Sequence, residues 1–199
     1  MPRHHTIISG TGRAGTTFLV QLLTALKLET GFDDPSSDIY PNCNAGMERD
    51  LRAPDAPYIV KSPWLCDYLG ELLLGNQVVI DHAIVPVRDL YAAAESRRSV
   101  SSKNTDPAIR LDDVPGGLWH TTVPENQEHI LTEQLYKLLS VLARYDIPLT
   151  LLHFPRLVMD PEYLYGKMGF LLGEVGFEKF RQAFNDIAAP QLVHDFNVK

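Results

Sequence analysis

The stretch SGTGRAGTT, residues 9–17, decides the fold predicted for this chain. It follows a β-branched run at residues 6–9 and precedes leucines at helical spacing between residues 17 and 28, so it joins a strand to a helix. A glycine-rich turn at such a junction points backbone N–H groups inward, and the first turn of the helix adds partial positive charge. The stretch therefore predicts a loop that binds a phosphate group. The alternative is a glycine turn that only joins the strand to the helix.

The spacing of Gly10 and Gly15 matches the two glycines of a Walker A loop, but the next position does not match. A Walker A loop has lysine there, and this chain has Thr16. The nearest cation is Arg13, inside the loop. This difference argues against ATP or GTP as the ligand.

Apolar runs and helical leucine patterns alternate along the rest of the chain. The alternation predicts an α/β fold of three layers, α/β/α, in which a mainly parallel sheet is covered on both faces and ligands bind at the carboxyl ends of the strands. No linker or repeat divides the chain, so we expect a single domain over residues 1–199. Pro86 favours an edge position or a bulge for its strand. The predicted strands cover residues 6–9, 58–60, 82–87 and 148–154, and the predicted helices cover residues 17–28, 64–74, 90–101, 125–145, 162–172 and 178–188.

Two segments lack clear periodicity. Residues 31–57 are rich in Asp, Pro, Ser and Asn, and residues 102–124 carry prolines and glycines among polar residues. Long loops inside a compact domain often serve as lids or binding loops. We therefore expect both segments to shape a substrate pocket, with residues 102–124 as a lid.

Composition excludes several classes of partner. Lysine and arginine total 18 against 25 acids, a formal net charge of −7, which argues against a general nucleic-acid or membrane binder. Any anion-binding site must therefore come from a few cations that lie close together, and not from the net charge of the protein. Cys43 and Cys66 lack metal-ligand spacing and are expected to be reduced thiols; a disulfide between them is unsupported. No apolar run reaches bilayer length and no signal peptide is recognised at the start of the chain, so we expect a cytoplasmic protein.

The loop at residues 12–19, GRAGTTFL, resembles the 5′-phosphosulfate loop of sulfotransferases that use 3′-phosphoadenosine 5′-phosphosulfate (PAPS). Arg88, at the end of a strand, and Ser96, eight positions on, are similar to the pair that holds the 3′-phosphate in that family. The segments at residues 60–63 and 149–161 also resemble family segments, in the same order. The resemblance implies a sulfotransferase with a P-loop-like fold.

The same resemblance implies roles for individual residues. Arg13, Thr16 and Thr17, with the loop amides of Gly12, Ala14 and Gly15, are expected to bind the 5′-phosphosulfate. Arg88 and Ser96 are expected to bind the 3′-phosphate, and Lys61 the sulfuryl oxygens. Phe18 is expected either near the adenine or in the core. Arg97 and Arg98 follow Ser96 and are expected on a solvated helix face, the alternative being extra charge at the 3′-phosphate.

The group that activates the acceptor is harder to assign, because Pro63 stands where many cytosolic members have histidine. His120, in the predicted lid, is the candidate chosen as catalytic. The family's later Arg-Lys-Gly segment is not visible in this chain. The other candidates for the base are Asp33, Asp34, Glu48 and His82.

The prediction is a metal-independent transfer of a sulfuryl group from PAPS to a hydroxyl or amine of a small-molecule or carbohydrate acceptor. One alternative is a Mg-NTP-dependent kinase or NTPase, with residues 78–81, VVID, as a Walker B element. The other is a non-catalytic nucleotide-binding protein of the same fold. The sequence indicates neither the acceptor nor the oligomeric state.

Overall fold

Strands and helices alternate along the chain as the sequence predicts. The structure is a computed structural model that describes residues 2–40, 43–104, 106, 108–193 and 196. Short 3₁₀ turns cover Pro124–Asn126, Arg156–Val158 and Pro190–Leu192. The strands are β1 (Arg3–Ile8), β2 (Ile39–Tyr40), β3 (Ala45–Gly46), β4 (Ile59–Lys61), β5 (Val78–Val87) and β6 (Leu149–His153), and the helices are α1 (Thr16–Ala25), α2 (Leu65–Leu74), α3 (Leu90–Ser102), α4 (Gln127–Arg144), α5 (Pro161–Leu172) and α6 (Phe177–Ile187).

The main sheet has four strands in the order β4-β1-β5-β6, and all neighbouring strands are parallel. The last residue of β1, Ile8, pairs with Lys61 of β4 on one side and with Ile84 of β5 on the other. The chain that follows β1 therefore leaves the carboxyl edge of the sheet between the ends of β4 and β5. This is the edge at which ligands bind in parallel α/β sheets.

Apolar cores lie on both faces of this sheet. Helices α1, α5 and α6 cover one face, whereas α2 and α4 cover the other and α3 packs on α4. Successive strand residues point to opposite faces, so Ile8 belongs to the first core and Ile7 to the second, both fully buried. Burying one such side chain stabilises the fold by about 1.5–3 kcal/mol. The predicted three-layer α/β/α fold with a parallel sheet is confirmed.

The expectation that Pro86 forces an edge position or a bulge is wrong. Its strand, β5, is central, and the irregularity in the β1–β5 register lies near Asp81 instead. The carbonyl of Ile84 faces β1 and accepts a hydrogen bond from Ser9 N (3.1 Å). Residues two positions apart in a strand turn their backbone groups to the same side, so the backbone nitrogen of Pro86 also faces β1. Because β1 pairing ends at Ile8, the missing N–H of Pro86 lies beyond the last paired residue.

The segments predicted as loops are more ordered than their composition suggests. Residues 31–57 contain a small antiparallel hairpin, β2–β3, and bury Met47 completely in the core beside α1. Residues 102–124 bury Leu118 and Trp119. Both cysteines are free thiols. Across the described ranges, no helix is long and apolar enough to cross a bilayer.

Candidate functional site

Gly12 and Gly15 are among the positions at which the loop after β1 requires glycine. Gly12 and Gly15 have φ values of +67° and +85°, in the left-handed region that glycine adopts without strain. A Cβ on Gly15 would lie 3.0 Å from Leu157 Cδ1 and 3.2 Å from Phe154 Cδ2. A Cβ on Gly12 would overlap the guanidinium of Arg97. The glycines therefore allow the loop to lie tightly between α3 and the turn after β6.

The backbone amides of this loop are available for an anion. No residue in the described ranges accepts a hydrogen bond from the N–H groups of residues 12–18. Gly15 is the N-cap of α1 and supplies no side chain to cap the helix. Unpaired amides at a helix N-terminus, together with the helix dipole, favour phosphate or sulfate. The amides of the loop are thus arranged as a phosphate-binding loop requires, and phosphate binding stays a prediction.

Arg13 connects this loop to Arg88 and Ser96, the pair that the resemblance to sulfotransferases assigns to the 3′-phosphate. Its Nε donates to Ser96 Oγ (3.1 Å), and its Nη1 donates to the carbonyl of Cys43 (2.6 Å). Arg88 Nη1 donates to the carbonyl oxygen of Arg13 (2.9 Å). Burial lowers the pKa of the Arg13 guanidinium, but arginine remains charged at neutral pH. The structure thus brings Arg13, Arg88 and Ser96 together at one point.

Lys61 lies on the other side of the loop, at the end of β4. Its Nζ donates to Gly46 O (2.7 Å) and Thr17 Oγ1 (3.2 Å) and contacts the carboxylate of Glu48. The side chain is buried, so it is not a solvated loop cation. Burial lowers the pKa of the Lys61 ammonium, and the nearby Glu48 carboxylate opposes that shift. A cation, a carboxylate and a threonine of α1 therefore form one cluster.

Arg97 was expected on a solvated face of α3, and this expectation is wrong. It is only 4% exposed, and its guanidinium donates to the carbonyls of Thr11 and Gly117, both at 2.7 Å. Burial and the nearby Arg13 lower its pKa to about 9. The sequence did not indicate that Arg97 contacts the loop. Side chains one position apart on a helix point in different directions, so a role for Ser96 at the loop did not imply one for Arg97. Arg98 pairs with Glu95 and Glu128 instead.

The candidates for the acceptor-activating base fall into two groups, those that line the cavity and those that do not. Glu48 and His120 line the cavity described below, whereas Asp33, Asp34 and His82 do not. His82 is 2.8 Å from Thr150 Oγ1, and its ring stacks on Phe170. Asp34 is exposed and accepts hydrogen bonds from Ser36, and Asp33 does not reach the cavity. His120 Nε2 lies 3.5 Å from Asp67 Oδ2. Glu48 is the candidate that also contacts a buried cation.

A cavity of about 1,090 Å³ opens above the loop, large enough for a nucleotide and a second molecule. On the β4 side its wall includes Tyr40, Glu48, Lys61, Trp64 and His120. On the β5–β6 side the wall is mostly apolar and comes from the turn after β6 and the end of the chain. That part includes Phe154, Val158, Ile187, Ala189, Leu192, Val193 and Phe196. Residues from both segments predicted as pocket loops contribute to the wall.

Most of the residues predicted for the site line this cavity, and Ala14 does not. The methyl group of Ala14 is fully buried in the core, so only its backbone faces the loop interior. Phe18 is largely a core residue, because its ring packs edge-on against Phe184 with centroids 5.4 Å apart. The lining set is Gly12, Arg13, Gly15, Thr16, Thr17, Phe18, Lys61, Arg88, Ser96 and His120.

The Walker B alternative does not fit the fold. Asp81 lies in the first half of β5, about 20 Å from the last residue of that strand at about 3.3 Å per residue. Its carboxylate contacts His4 Nδ1 (2.7 Å) and accepts a hydrogen bond from the Tyr58 hydroxyl (3.2 Å). A magnesium-binding aspartate has to reach the phosphate loop at the carboxyl edge. Asp81 is at the other end of the sheet.

Comparison with known proteins gives a likeness among solved structures. No family model matches the chain, and no curated protein is significantly similar to it. Among solved structures, it is similar to the sulfotransferase domain from the Synechococcus PCC 7002 olefin synthase. The TM-score is 0.51 at 16% sequence identity, over 96% of this chain and 82% of that one. The chain has a sulfotransferase-like fold. At this identity, the likeness establishes the fold alone.

The site of this sulfotransferase-like fold presents hydrogen-bond donors at the loop amides and, close by, at Arg88 and Ser96. The chain is acidic overall, with a net charge of −7, so this positive charge is local. On the other side of the loop Lys61 is paired with Glu48, whose carboxylate can accept a proton.

Proposed function

We propose that this protein is a sulfotransferase that moves a sulfuryl group from PAPS to a hydroxyl or amine of a small-molecule or carbohydrate acceptor. One observation carries the proposal. The loop after β1 is flanked on one side by Arg88, just after β5, and Ser96 of α3, and on the other side by Lys61, at the end of β4, and Glu48, just after β3. A donor-binding group thus lies on one side of the loop, and a proton-accepting group on the other.

The residues fit PAPS in particular. Its two phosphate positions need two anion-binding groups, and the chain offers the loop amides after β1 and, beside them, Arg88 with Ser96. The loop amides, Arg13 and the Thr16 and Thr17 hydroxyls suit the 5′-phosphosulfate. Arg88 supplies a guanidinium fork and Ser96 a hydroxyl, which together suit a phosphate dianion. The β5–β6 side adds the apolar wall that an adenosine needs.

PAPS, when bound, supplies the sulfuryl group: the acceptor oxygen or nitrogen forms a bond to sulfur, the bond from sulfur to the bridging oxygen breaks, and 3′,5′-adenosine bisphosphate leaves with that electron pair. Arg13, Thr16 and the loop amides stabilise the negative charge that develops on the departing phosphate. Lys61 orients the Glu48 carboxylate and adds positive charge beside the reacting group.

Glu48 accepts the proton of the acceptor in this proposal. Its carboxylate lines the cavity, contacts Lys61 and is about one quarter exposed, so an acceptor can reach it. A base within hydrogen-bonding reach of the reacting hydroxyl typically contributes 10²–10⁴-fold. His120 is the second candidate, since it lines the same wall beside Asp67. Glu48 is favoured because its carboxylate contacts the ammonium of Lys61, which also donates a hydrogen bond to Thr17 at the start of α1.

Thermal-shift titrations test the proposal with 3′,5′-adenosine bisphosphate and with ATP, each with and without Mg²⁺. A ligand that binds the native state raises the melting temperature. We expect the bisphosphate to stabilise the protein without metal, and Arg88→Ala to weaken that binding by at least about tenfold. Arg181→Ala, an exposed position on α6, is the matched control and leaves the binding unchanged.

Stabilisation by Mg-ATP alone would contradict a sulfotransferase and favour a kinase or NTPase. No response to either nucleotide would also contradict it. Where the bisphosphate binds, turnover is then measured with labelled PAPS and a panel of hydroxyl and amine acceptors. Binding without transfer to any acceptor would favour the non-catalytic nucleotide-binding alternative.

A further inference from the structure

Strand β6 lies at one end of the main sheet and has an outer edge. It is the last strand in the order β4-β1-β5-β6 and pairs with β5. Ala83 N donates a hydrogen bond to Pro148 O, and Phe154 N donates one to Val87 O. Because successive residues turn their backbone groups to opposite sides, even-numbered residues of this segment face β5 and odd-numbered residues face outward. Pro148 therefore leaves the outer edge unblocked.

Two residues of this outer edge have unpaired backbone groups. No described residue accepts a hydrogen bond from the N–H of Leu149 or Leu151, or donates one to their carbonyls. The next outward residue, His153, already donates its N–H to the hydroxyl of Tyr163 (2.8 Å). Donors and acceptors are thus unpaired at residues 149 and 151, and another β-strand can complete such an edge.

Apolar side chains border this edge on both faces of the sheet. The even-numbered residues of β6 face α1 and α5, so Leu149 and Leu151 point to the other face, where they are 39% and 49% exposed. On the first face, Phe170 of α5 is 47% exposed. Its ring stacks on His82, whose Nε2 lies 2.8 Å from Thr150 Oγ1. Exposed apolar surface therefore lies above and below the unpaired backbone groups.

The edge lacks the features that protect natural sheet edges from pairing. Such edges usually carry charged residues or prolines, contain a bulge, or lie under a helix or loop. Residues 147–152, IPLTLL, contain no charged side chain, and their proline faces β5. Across a two-fold axis each side chain approaches its own counterpart, so a charged edge would repel a second copy of itself. This uncharged edge fits a second copy of the chain.

We propose that two copies of this chain pair through β6 in antiparallel directions and form one continuous sheet. Leu149 of each copy faces Leu151 of the other, so every outward donor and acceptor at these two residues finds a partner. A register centred on Leu151 would instead pair Leu149 with His153, whose N–H is already bonded to Tyr163. An antiparallel strand at the edge of an otherwise parallel sheet is common.

The same register brings apolar side chains together. On the face away from α5, Leu149 and Leu151 of both copies become cross-strand neighbours, with Cβ atoms about 4.5–5.5 Å apart. Burial of this apolar surface adds a driving force that backbone hydrogen bonds, which water can also satisfy, supply only weakly. Residues 149–151 do not line the cavity, so the proposal does not rest on the sulfotransferase function.

The molecular mass in solution tests the proposal. Light scattering after size-exclusion chromatography at about 100 µM should give twice the mass of one chain. Leu151→Lys should weaken the dimer by at least about tenfold, because it places like charges on both sides of the two-fold axis. Leu74→Lys is the matched control, since that leucine is 77% exposed at the end of α2, and this variant should remain dimeric. Both variants should bind 3′,5′-adenosine bisphosphate as the native protein does.

A cysteine at the centre of the strand pair tests the register. Thr150 faces Thr150 of the second copy as a non-hydrogen-bonded pair with Cα atoms about 4.5 Å apart, which a disulfide can span. With oxidised glutathione as the oxidant, Thr150→Cys should give a covalent dimer on a non-reducing gel. The native protein, which has two free thiols, and Thr132→Cys, at an exposed position of α4, should not.

Three outcomes would overturn the proposal. They are a monomeric native chain, a dimer that Leu151→Lys does not weaken, and the absence of a cross-link in Thr150→Cys. A failure of this kind would leave the proposed function untouched, because nucleotide binding is measured separately in the same variants.

Discussion

Arg97 Nη2 donates a 2.7 Å hydrogen bond to the carbonyl oxygen of Thr11, so a side chain of helix α3 fixes the start of the loop that follows β1. The same guanidinium donates to Gly117 O in the segment after α3. One buried cation thereby connects the loop, the helix and the segment that lines the cavity. Hydrogen bonds from a charged donor typically contribute about 1.5–3 kcal/mol each.

Arg97→Ala should lower the free energy of unfolding by about 2–4 kcal/mol, because it removes both bonds and leaves a cavity beside Trp119. It should also weaken bisphosphate binding, since Thr11 is no longer held. Urea denaturation and thermal-shift titration measure the two effects. Arg181→Ala, which removes one exposed ion pair, should cost no more than about 1 kcal/mol. Equal losses in the two variants would count against the structural role of Arg97.

Gly15→Ala should destabilise the protein and the loop together. The residue has a φ of +85°, and a methyl group there meets Leu157 and Phe154 at 3.0–3.2 Å. We expect a loss of about 2–3 kcal/mol in urea denaturation, from backbone strain and from the close contacts. Gly169→Ala is the control: it lies inside α5 and nothing lies near its added Cβ. It should not destabilise the protein, because alanine is favoured over glycine inside a helix, and a loss equal to that of Gly15→Ala would mean that neither strain nor contacts explain the effect.

Glu48→Gln should reduce turnover without reducing nucleotide binding. The amide keeps a hydrogen-bonding oxygen for Lys61 but cannot accept the acceptor's proton, so we expect kcat to fall by about 10²–10⁴-fold. Steady-state assays with labelled PAPS measure kcat, and thermal shift measures bisphosphate binding. Asp33→Asn, outside the cavity, should change kcat less than about twofold. If Glu48→Gln retained full activity and His120→Gln lost it, the base would be His120.

The free energy of unfolding should decrease as the pH falls from 7 towards 5. Burial lowers the pKa of His5 below its usual 6.5, and its Nδ1 lies 2.7 Å from Pro57 O. The unfolded chain therefore binds a proton at a pH where the folded protein does not, so stability present above pH 6.5 is lost below it. One such histidine contributes at most about 1.4 kcal/mol per pH unit.

His5→Gln tests this assignment, because it removes the titrating ring and keeps a donor towards Pro57. Urea denaturation across the pH range should give a shallower dependence for the variant than for the native protein. His129→Gln serves as the control, since that exposed histidine lies on α4. An unchanged slope in His5→Gln would assign the dependence to other groups.

Much of the fold followed from local patterns. The β-branched run before the loop, the glycines and the leucine periodicity of α1 are features of neighbouring residues, and neighbouring residues determine where a strand or helix begins. Arg88 and Ser96 were assigned through the resemblance to sulfotransferases, and they lie close together because a strand end and the next helix are joined by a few residues. The position of a strand in the sheet did not follow from local patterns. The strand that contains Pro86 is central because β6 pairs with its other edge, and β6 comes from a distant segment of the chain.

The sequence by itself determined the glycine-rich loop between β1 and α1, the alternation of strands and helices and the presence of cations near that loop. Only the tertiary structure decided which residues meet around the loop. Glu48 reaches Lys61 because the β2–β3 hairpin folds back over α1, and Arg97 is buried because residues 116–119 cover it. These contacts join residues that are distant in the chain, so no local pattern encodes them. They form because folding buries the apolar residues beside them, Met47 in one segment and Leu118 in the other.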